Sequence, residues 1–206
     1  MGLRIPAFCA LLLFAGPAFA QNQPSDWPCI QPLVPALSPA QVWPGPPVDE
    51  AAAHWRDHPE DIPADLKSIV RRAVSRSVPE ADAAETVDSF AEKVAGGPDG
   101  ALPLLFAGIF TELDGARRDT IAGIKRFARA QQDRLAQLQD MVGQLDAARS
   151  ATPPDPARIA QLADEVAWQR RILDERQRSL RALCEQPAAL EARLGVLART
   201  IAAHLE

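Results

Sequence analysis

The second half of the chain carries two apolar repeats that strongly restrict what it can fold into. In each repeat, mostly apolar residues recur at alternating steps of three and four. The first repeat comprises Ile121, Ile124, Ala128, Gln131, Leu135, Leu138, Val142 and Leu145, and the second comprises Ile159, Leu162, Val166, Gln169, Leu173, Arg176, Leu180 and Leu183. The segment from Thr152 to Pro156 between them is rich in proline. Two such repeats joined by a short proline turn predict an antiparallel coiled-coil hairpin.

Three polar residues, Gln131, Gln169 and Arg176, occupy positions of the predicted seam. Pairing the two arms around the turn places Gln131 near Leu173. Polar residues on a coiled-coil seam usually cost stability, while they fix the register or the number of helices. The alternative is that they mark where the two-stranded seam opens to receive a third helix, from this chain or from a second copy.

The first twenty residues are typical of a secretory signal peptide. Arg4 provides a small positive region, the apolar run from Ile5 to Phe14 follows, and Ala18-Phe19-Ala20 supplies small residues at a cleavage site. The apolar run is too short to span a bilayer as an anchor. We therefore expect cleavage near Ala20, a mature chain without a transmembrane span, and a periplasmic or secreted location.

Cysteine usage agrees with export. Cys9 would leave with the signal peptide, so the mature chain keeps Cys29 and Cys184. In an oxidising compartment an even number of cysteines predicts a disulfide, here between these two residues. Two free thiols or a disulfide-linked dimer are the alternatives. Neither cysteine belongs to a Cys-x-x-Cys pair, so redox catalysis is not expected.

The segment 21–47 is proline-rich yet unusually apolar. Its prolines exclude a regular helix over most of its length. Trp27 and Trp43 are the largest of its apolar side chains, and they make a solvated, disordered tether the weaker interpretation. We predict an extended strap that lies over a helical body, anchored by both tryptophans and tied to the hairpin through Cys29.

Three short helices are predicted between residues 48 and 98. The first ends before Pro59, the second is expected to be capped by Asp61, and the third to begin with a capping box over 77–80. A proline and two glycines at 96–98 should stop the third helix. No alternating strand pattern is present in the sequence, which indicates an all-α protein.

Proline and glycine residues also occur inside the long arms of the hairpin. Pro187 is expected to break or kink the returning arm near its end. Gly108, Gly115 and Gly123 lie inside the outgoing arm, where each costs up to about 1 kcal/mol relative to alanine. Such glycines are expected where a short helix or the strap crosses closely.

The predicted fold is thus a bundle of short N-terminal helices packed on a long antiparallel coiled-coil hairpin, with a proline-rich extended strap. The expected divisions are a signal peptide (1–20), the strap (21–47), the short helices (48–98) and the hairpin (99–206, with its turn near 150–156). Residues 21–206 are expected to form one structural unit.

Few residues point to chemistry. His54 and His58 stand four apart, a spacing at which two imidazoles can share a metal, with carboxylates nearby. Pro59 follows immediately, and a pair of solvated histidines at a helix end is the more ordinary interpretation. The sequence contains no nucleophile elbow, phosphate-binding loop or dinucleotide fingerprint. We expect neither enzymatic activity nor a cofactor, and a metal only if His54 and His58 hold one.

Charge limits the classes of partner. The net charge of −5 becomes one unit more negative when Arg4 is removed, which disfavours nucleic acid. Arg117-Arg118 and Arg170-Arg171 are the clearest basic spots, expected either to pair across the hairpin or to meet an acidic partner. The main hypothesis is an exported scaffold or accessory subunit that binds another envelope protein. A periplasmic chaperone that holds unfolded clients is the alternative, and metal binding is a third.

Overall fold

A computed structural model describes residues 26–95 and 100–205, and these residues form an all-helical protein without strands. Five α-helices follow in order: α1 (Asp49–Asp57), α2 (Ala64–Val74), α3 (Glu80–Val94), α4 (Ala101–Ser150) and α5 (Pro156–Ala202). Short helices packed on a long α4–α5 hairpin confirm the predicted fold class. The signal peptide, residues 21–25 of the strap and the expected helix stop at 96–98 lie outside the described residues.

The base of the molecule holds the main hydrophobic core. The three short helices pack there against the beginning of α4 and the end of α5. Leu105, Phe106 and Ile109 of α4 and Leu197 and Ile201 of α5 are completely buried at its centre. The amphipathic short helices cannot bury their apolar faces alone, so the long helices supply the opposing surface.

One of the three glycines in α4 marks a close approach. Trp55 of α1 lies directly over Gly108, where a Cβ atom would stand 2.7 Å from the indole ring. The indole is held in place because its Nε1 donates a hydrogen bond to Glu112 Oε1 over 3.2 Å. At Gly115 nothing lies within 4 Å of the position of a Cβ atom, and at Gly123 only the end of the Arg126 side chain does. The expected role in close packing therefore applies to Gly108 alone.

Gly108 and Gly115 form a matched pair for mutation. Gly108→Ala is expected to lower the free energy of unfolding, because overpacking costs about 1–3 kcal/mol and exceeds the roughly 1 kcal/mol gained in helix propensity. Gly115→Ala is expected to raise it by up to about 1 kcal/mol, since the new methyl group meets nothing. Urea unfolding monitored by circular dichroism measures both, and equal effects of the two changes would contradict this account.

The short helices begin differently from the sequence-based expectation. Asp61 ends a 3₁₀ turn (Pro59–Asp61), and the N-cap of α2 is Pro63. The prediction of a capping box over 77–80 is also wrong. The N-cap of α3 is Pro79, and the hydroxyl of Ser77 forms a hydrogen bond with that of Ser75 over 2.8 Å. Proline has a fixed φ compatible with a helix entrance, and acidic first turns complement the helix dipoles. These features replace the side-chain caps.

Pro187 does not end the returning arm, as α5 continues through it to Ala202. The prediction of a break was wrong. A proline inside a helix costs about 3 kcal/mol, but Pro187 is buried, and both of its flanks are fixed. Cys184 is held by a disulfide on one side, and Leu190 belongs to the main core on the other. Packing on both sides offsets the local penalty.

The hairpin buries its seam in separate clusters. Near the tip, Leu138 and Leu145 of α4 pack with Leu162 and Val166 of α5, in the register predicted from the repeats. The turn ends at Asp155, whose carboxylate accepts hydrogen bonds from the backbone N–H groups of residues 157 and 158. Between the tip cluster and the base, burial of the seam is uneven, since Ile124 and Ala128 are buried whereas Leu135 is exposed.

Candidate functional site

The strap is fastened to the hairpin at both of its ends. The predicted disulfide joins Cys29 to Cys184 across 155 residues of sequence, with their Cα atoms 5.6 Å apart. Beside it, Trp27 packs with Ile121 and Ile124 of α4 in a small separate core. At the other end, Trp43 stacks on Phe106 with ring centroids 4.3 Å apart. Both tryptophans expected to anchor the strap are buried.

A buried arginine fixes the middle of the strap. Arg117 of α4 is only 2% exposed. Its Nε donates to Glu191 Oε1 of α5 over 2.6 Å, and its Nη2 donates to the Val34 carbonyl of the strap over 2.7 Å. Arg117 belongs to one of the two basic pairs noted in the sequence, and it thus has an internal structural role. Its neighbour Arg118 is exposed and pairs with Asp114 within α4.

A second buried arginine joins α5 to the short helices. Arg193 donates to the carbonyl oxygens of Ala73 (2.7 Å) and Val78 (3.1 Å). Ala73 lies in the last turn of α2, where carbonyl groups lack helical partners and the dipole favours a cation. Sequence reasoning missed this residue because no local pattern distinguishes it from the surface arginines around it.

Beyond the strap, the hairpin projects from the base. Asp26 pairs with Lys125 and Arg129 of α4, and Pro28 lies near Leu135. From residue 136 to the turn, the tip cluster consists of side chains from α4 and α5 alone. This part is about 22 Å long at 1.5 Å per residue. Among residues 26–95 and 100–205, no third helix covers this part of the hairpin, so both flanks of its arms face solvent there.

Three concavities follow one another along the hairpin, and we call them together the flank groove. Near the tip a concavity of about 450 Å³ lies between Val142 and Arg149 of α4 and Ala167 and Arg170 of α5. A central pocket of about 240 Å³ follows, closed toward the base by Pro28. A third concavity of about 500 Å³ runs along α5 and shares Gln177 with the central pocket. The residues of α5 that line the groove are Ala163, Val166, Ala167, Arg170, Arg171, Leu173, Asp174, Gln177, Arg178, Leu180 and Arg181.

The central pocket contains the seam residue Gln131. Its Oε1 and Nε2 are both buried, and neither has a hydrogen-bond partner among the described residues. Phe127, Leu135 and Leu173 surround it, as expected from its predicted pairing with Leu173. The other two polar seam residues are accommodated. Gln169 donates to Glu165 within α5, and the guanidinium of Arg176 lies 5.9 Å from the centre of the Phe127 ring.

Replacing Gln131 with leucine is expected to stabilise the isolated protein by about 1–3 kcal/mol. A buried polar group without a partner costs about that much, and leucine fills similar space in an apolar pocket. Thermal and urea unfolding measure the gain. Gln169→Leu is the control, and it should change stability much less because Gln169 already has a partner. A loss of stability in Gln131→Leu would show that the amide is satisfied in solution.

The basic rim of the flank groove has few charge partners. Arg170, Arg171, Arg178 and Arg181 form no ion pair with any carboxylate in the described ranges. Arg171 instead lies 5.6 Å from the centre of the Trp168 ring, and that indole is 55% exposed. The predicted pairing of Arg170-Arg171 across the hairpin is therefore not seen.

The two histidines give a weak arrangement for a metal. The ring centroids of His54 and His58 lie 5.7 Å apart. The one cluster of candidate ligands in the described part of the chain comprises His58, Glu60 and Asp61, all exposed, and leaves out His54. A closed structural zinc site usually offers four ligands held by further hydrogen bonds. Metal binding at these residues stays a prediction that rests on spacing alone.

No protein-family model, curated protein or solved structure matches this chain. Within the described ranges, no helix combines the length and the apolar character needed to cross a membrane. The site must therefore be interpreted from its own geometry. Its distinguishing feature is a concave, basic flank on a projecting hairpin.

Proposed function

We propose that this chain is an exported helical scaffold or accessory subunit that binds another envelope protein through its projecting hairpin. The observation that carries the proposal is the division of the molecule into a fastened base and an uncovered hairpin. The disulfide, Arg117 and Trp43 fix the strap, while in the described ranges the tip cluster beyond residue 135 is built from side chains of α4 and α5 alone. A signal-like N-terminus and the disulfide support export.

Shortening the hairpin without disturbing its seam tests this proposal. Deleting residues 139–145 and 159–165 together removes one heptad from each arm, so residue 138 still faces residue 166. The main core and the strap contacts remain intact. We expect the shortened protein to fold, with helix content reduced only in proportion, and to lose its partner in crosslinking experiments in the host cell. If the shortened protein is crosslinked to the same proteins as the full-length chain, the proposal is wrong.

The chaperone alternative has less support, because a holdase needs a broad exposed apolar surface. Among the described residues the exposed large hydrophobic side chains are Ile30, Val34, Leu135 and Trp168, which are spread over the strap and both arms. We expect the purified protein not to suppress the aggregation of unrelated unfolded clients at equimolar ratio. Suppression by a stable, folded preparation would favour the chaperone instead.

A further inference from the structure

We infer that the flank groove is the binding site for an acidic amphipathic helix of the partner protein. The inference rests on the proposed function and specifies its surface and the chemistry of its partner. Three features of the groove carry it: its shape, its unsatisfied amide and its charge.

The shape of the groove suits a helix. From Ala163 to Arg181 the lining of α5 extends about 27 Å, which corresponds to about 18 residues of a facing helix. The lining residues recur at steps of three and four, so they present ridges and gaps of the kind that a third helix fills in a coiled coil.

The floor of the groove is apolar but incomplete. Leu135 remains 45% exposed on a seam position, next to Leu173 and Leu180, which are partly buried. Beside them, Gln131 presents one donor and one acceptor that no described residue satisfies. A helix that places leucine-like side chains on this floor would cover Leu135 directly. Because both polar atoms of Gln131 are buried, the same helix would hydrogen-bond to them only through a shift of the Gln131 side chain toward the groove.

The charge of the groove selects an acidic partner. The three concavities are lined by five arginines, Arg149, Arg170, Arg171, Arg178 and Arg181, and by two aspartates, Asp146 and Asp174. This local excess of positive charge stands on a chain whose net charge is −5. The basic groove attracts acidic segments, while the like net charge of two copies of this chain disfavours self-association. Trp168 and Arg171 at the rim are residue types that often dominate binding energy.

A photo-crosslinking amino acid at Gln177, which lines two of the concavities, tests the inference in the host cell. The linked peptides are identified by mass spectrometry. We expect a link to a helical segment with an excess of Asp and Glu. In the variant R170Q/R171Q/R178Q/R181Q the yield of that link should fall at least fivefold. The matched variant R118Q/R126Q/R134Q/R158Q removes the same number of charges outside the groove and should stay within twofold of the unmodified protein.

The other outcomes contradict the inference in distinguishable ways. A link from Gln177 to a second copy of this chain, to lipid, or to a neutral or basic segment overturns the acidic-helix assignment. A partner linked only from a probe at Thr152 in the turn overturns the groove but supports the proposed function. A partner linked only from a probe at Ile30 in the strap overturns both. The absence of any link from all three positions overturns both. Equal yields in the two arginine variants would show that the basic rim does not select the partner.

Discussion

Removing the disulfide is expected to cause the largest loss of stability of any change that leaves the core intact. The double variant Cys29→Ala/Cys184→Ala should lose about 3–5 kcal/mol of unfolding free energy. A crosslink over a separation of 155 residues gives about 5 kcal/mol in the chain-entropy model, and measured values are commonly 2–4 kcal/mol. Alanine is preferred to serine because Cys29 is buried in the core formed with Trp27. Urea unfolding of the oxidised parent and of the double variant gives the difference.

The same measurement contains an internal check. If the crosslink acts by compacting the unfolded chain, its removal should also raise the slope of unfolding free energy against urea, because the unfolded state exposes more surface. In the double variant, the surroundings of Trp27 should unfold at a lower urea concentration than the main core. Trp27 shares its small cluster with the disulfide, whereas Trp43 and Trp55 belong to the base. A loss below about 1 kcal/mol would show that the contacts of Trp27, Asp26 and Arg117 hold the strap without the disulfide.

The parts of the fold that follow local periodicity were predictable from the sequence. Steps of three and four residues require a helix with one apolar face, and a proline-rich turn between two such segments leaves few alternatives to a hairpin. The register also followed, because Leu138 and Val166 lie at equal distances from the turn. The Cys29–Cys184 disulfide was predictable because the sequence offers no other pair of cysteines once Cys9 is assigned to the expected signal peptide.

The sequence-based errors occurred where distant contacts override a local rule. Pro187 was expected to interrupt α5, but the disulfide and the main core hold the helix on either side of it. Arg117 and Arg193 resemble surface arginines in sequence, and their burial depends on backbone carbonyls brought close by folding. Gln131 was noted as an anomaly on the seam, yet the sequence did not indicate which flank opens beside it.

Replacement of Arg117 by alanine is the second change expected to have a large effect, with a loss of about 2–4 kcal/mol. The side chain is 2% exposed, so its removal leaves a cavity and takes the hydrogen-bond donors away from Glu191 and the Val34 carbonyl. The value falls below the 3–5 kcal/mol of fully buried pairs because the Glu191 side chain is 39% exposed and can be hydrated. Urea unfolding provides the measurement. Arg118→Ala, at an exposed neighbouring position, should cost less than about 0.5 kcal/mol.

A double-mutant cycle separates the charge interaction of Arg117 from its packing. Arg117→Met keeps most of the buried volume, and Glu191→Gln keeps the size of the acceptor while removing its charge. The coupling energy between the two changes should be about 1–3 kcal/mol, the range for hydrogen bonds to charged groups. If Arg117→Met alone costs almost nothing, Arg117 acts as filler and the strap is held by Trp27, Trp43 and the disulfide. A strong coupling would instead show that the Arg117–Glu191 pair joins the two arms of the hairpin at the level where Arg117 also holds the strap.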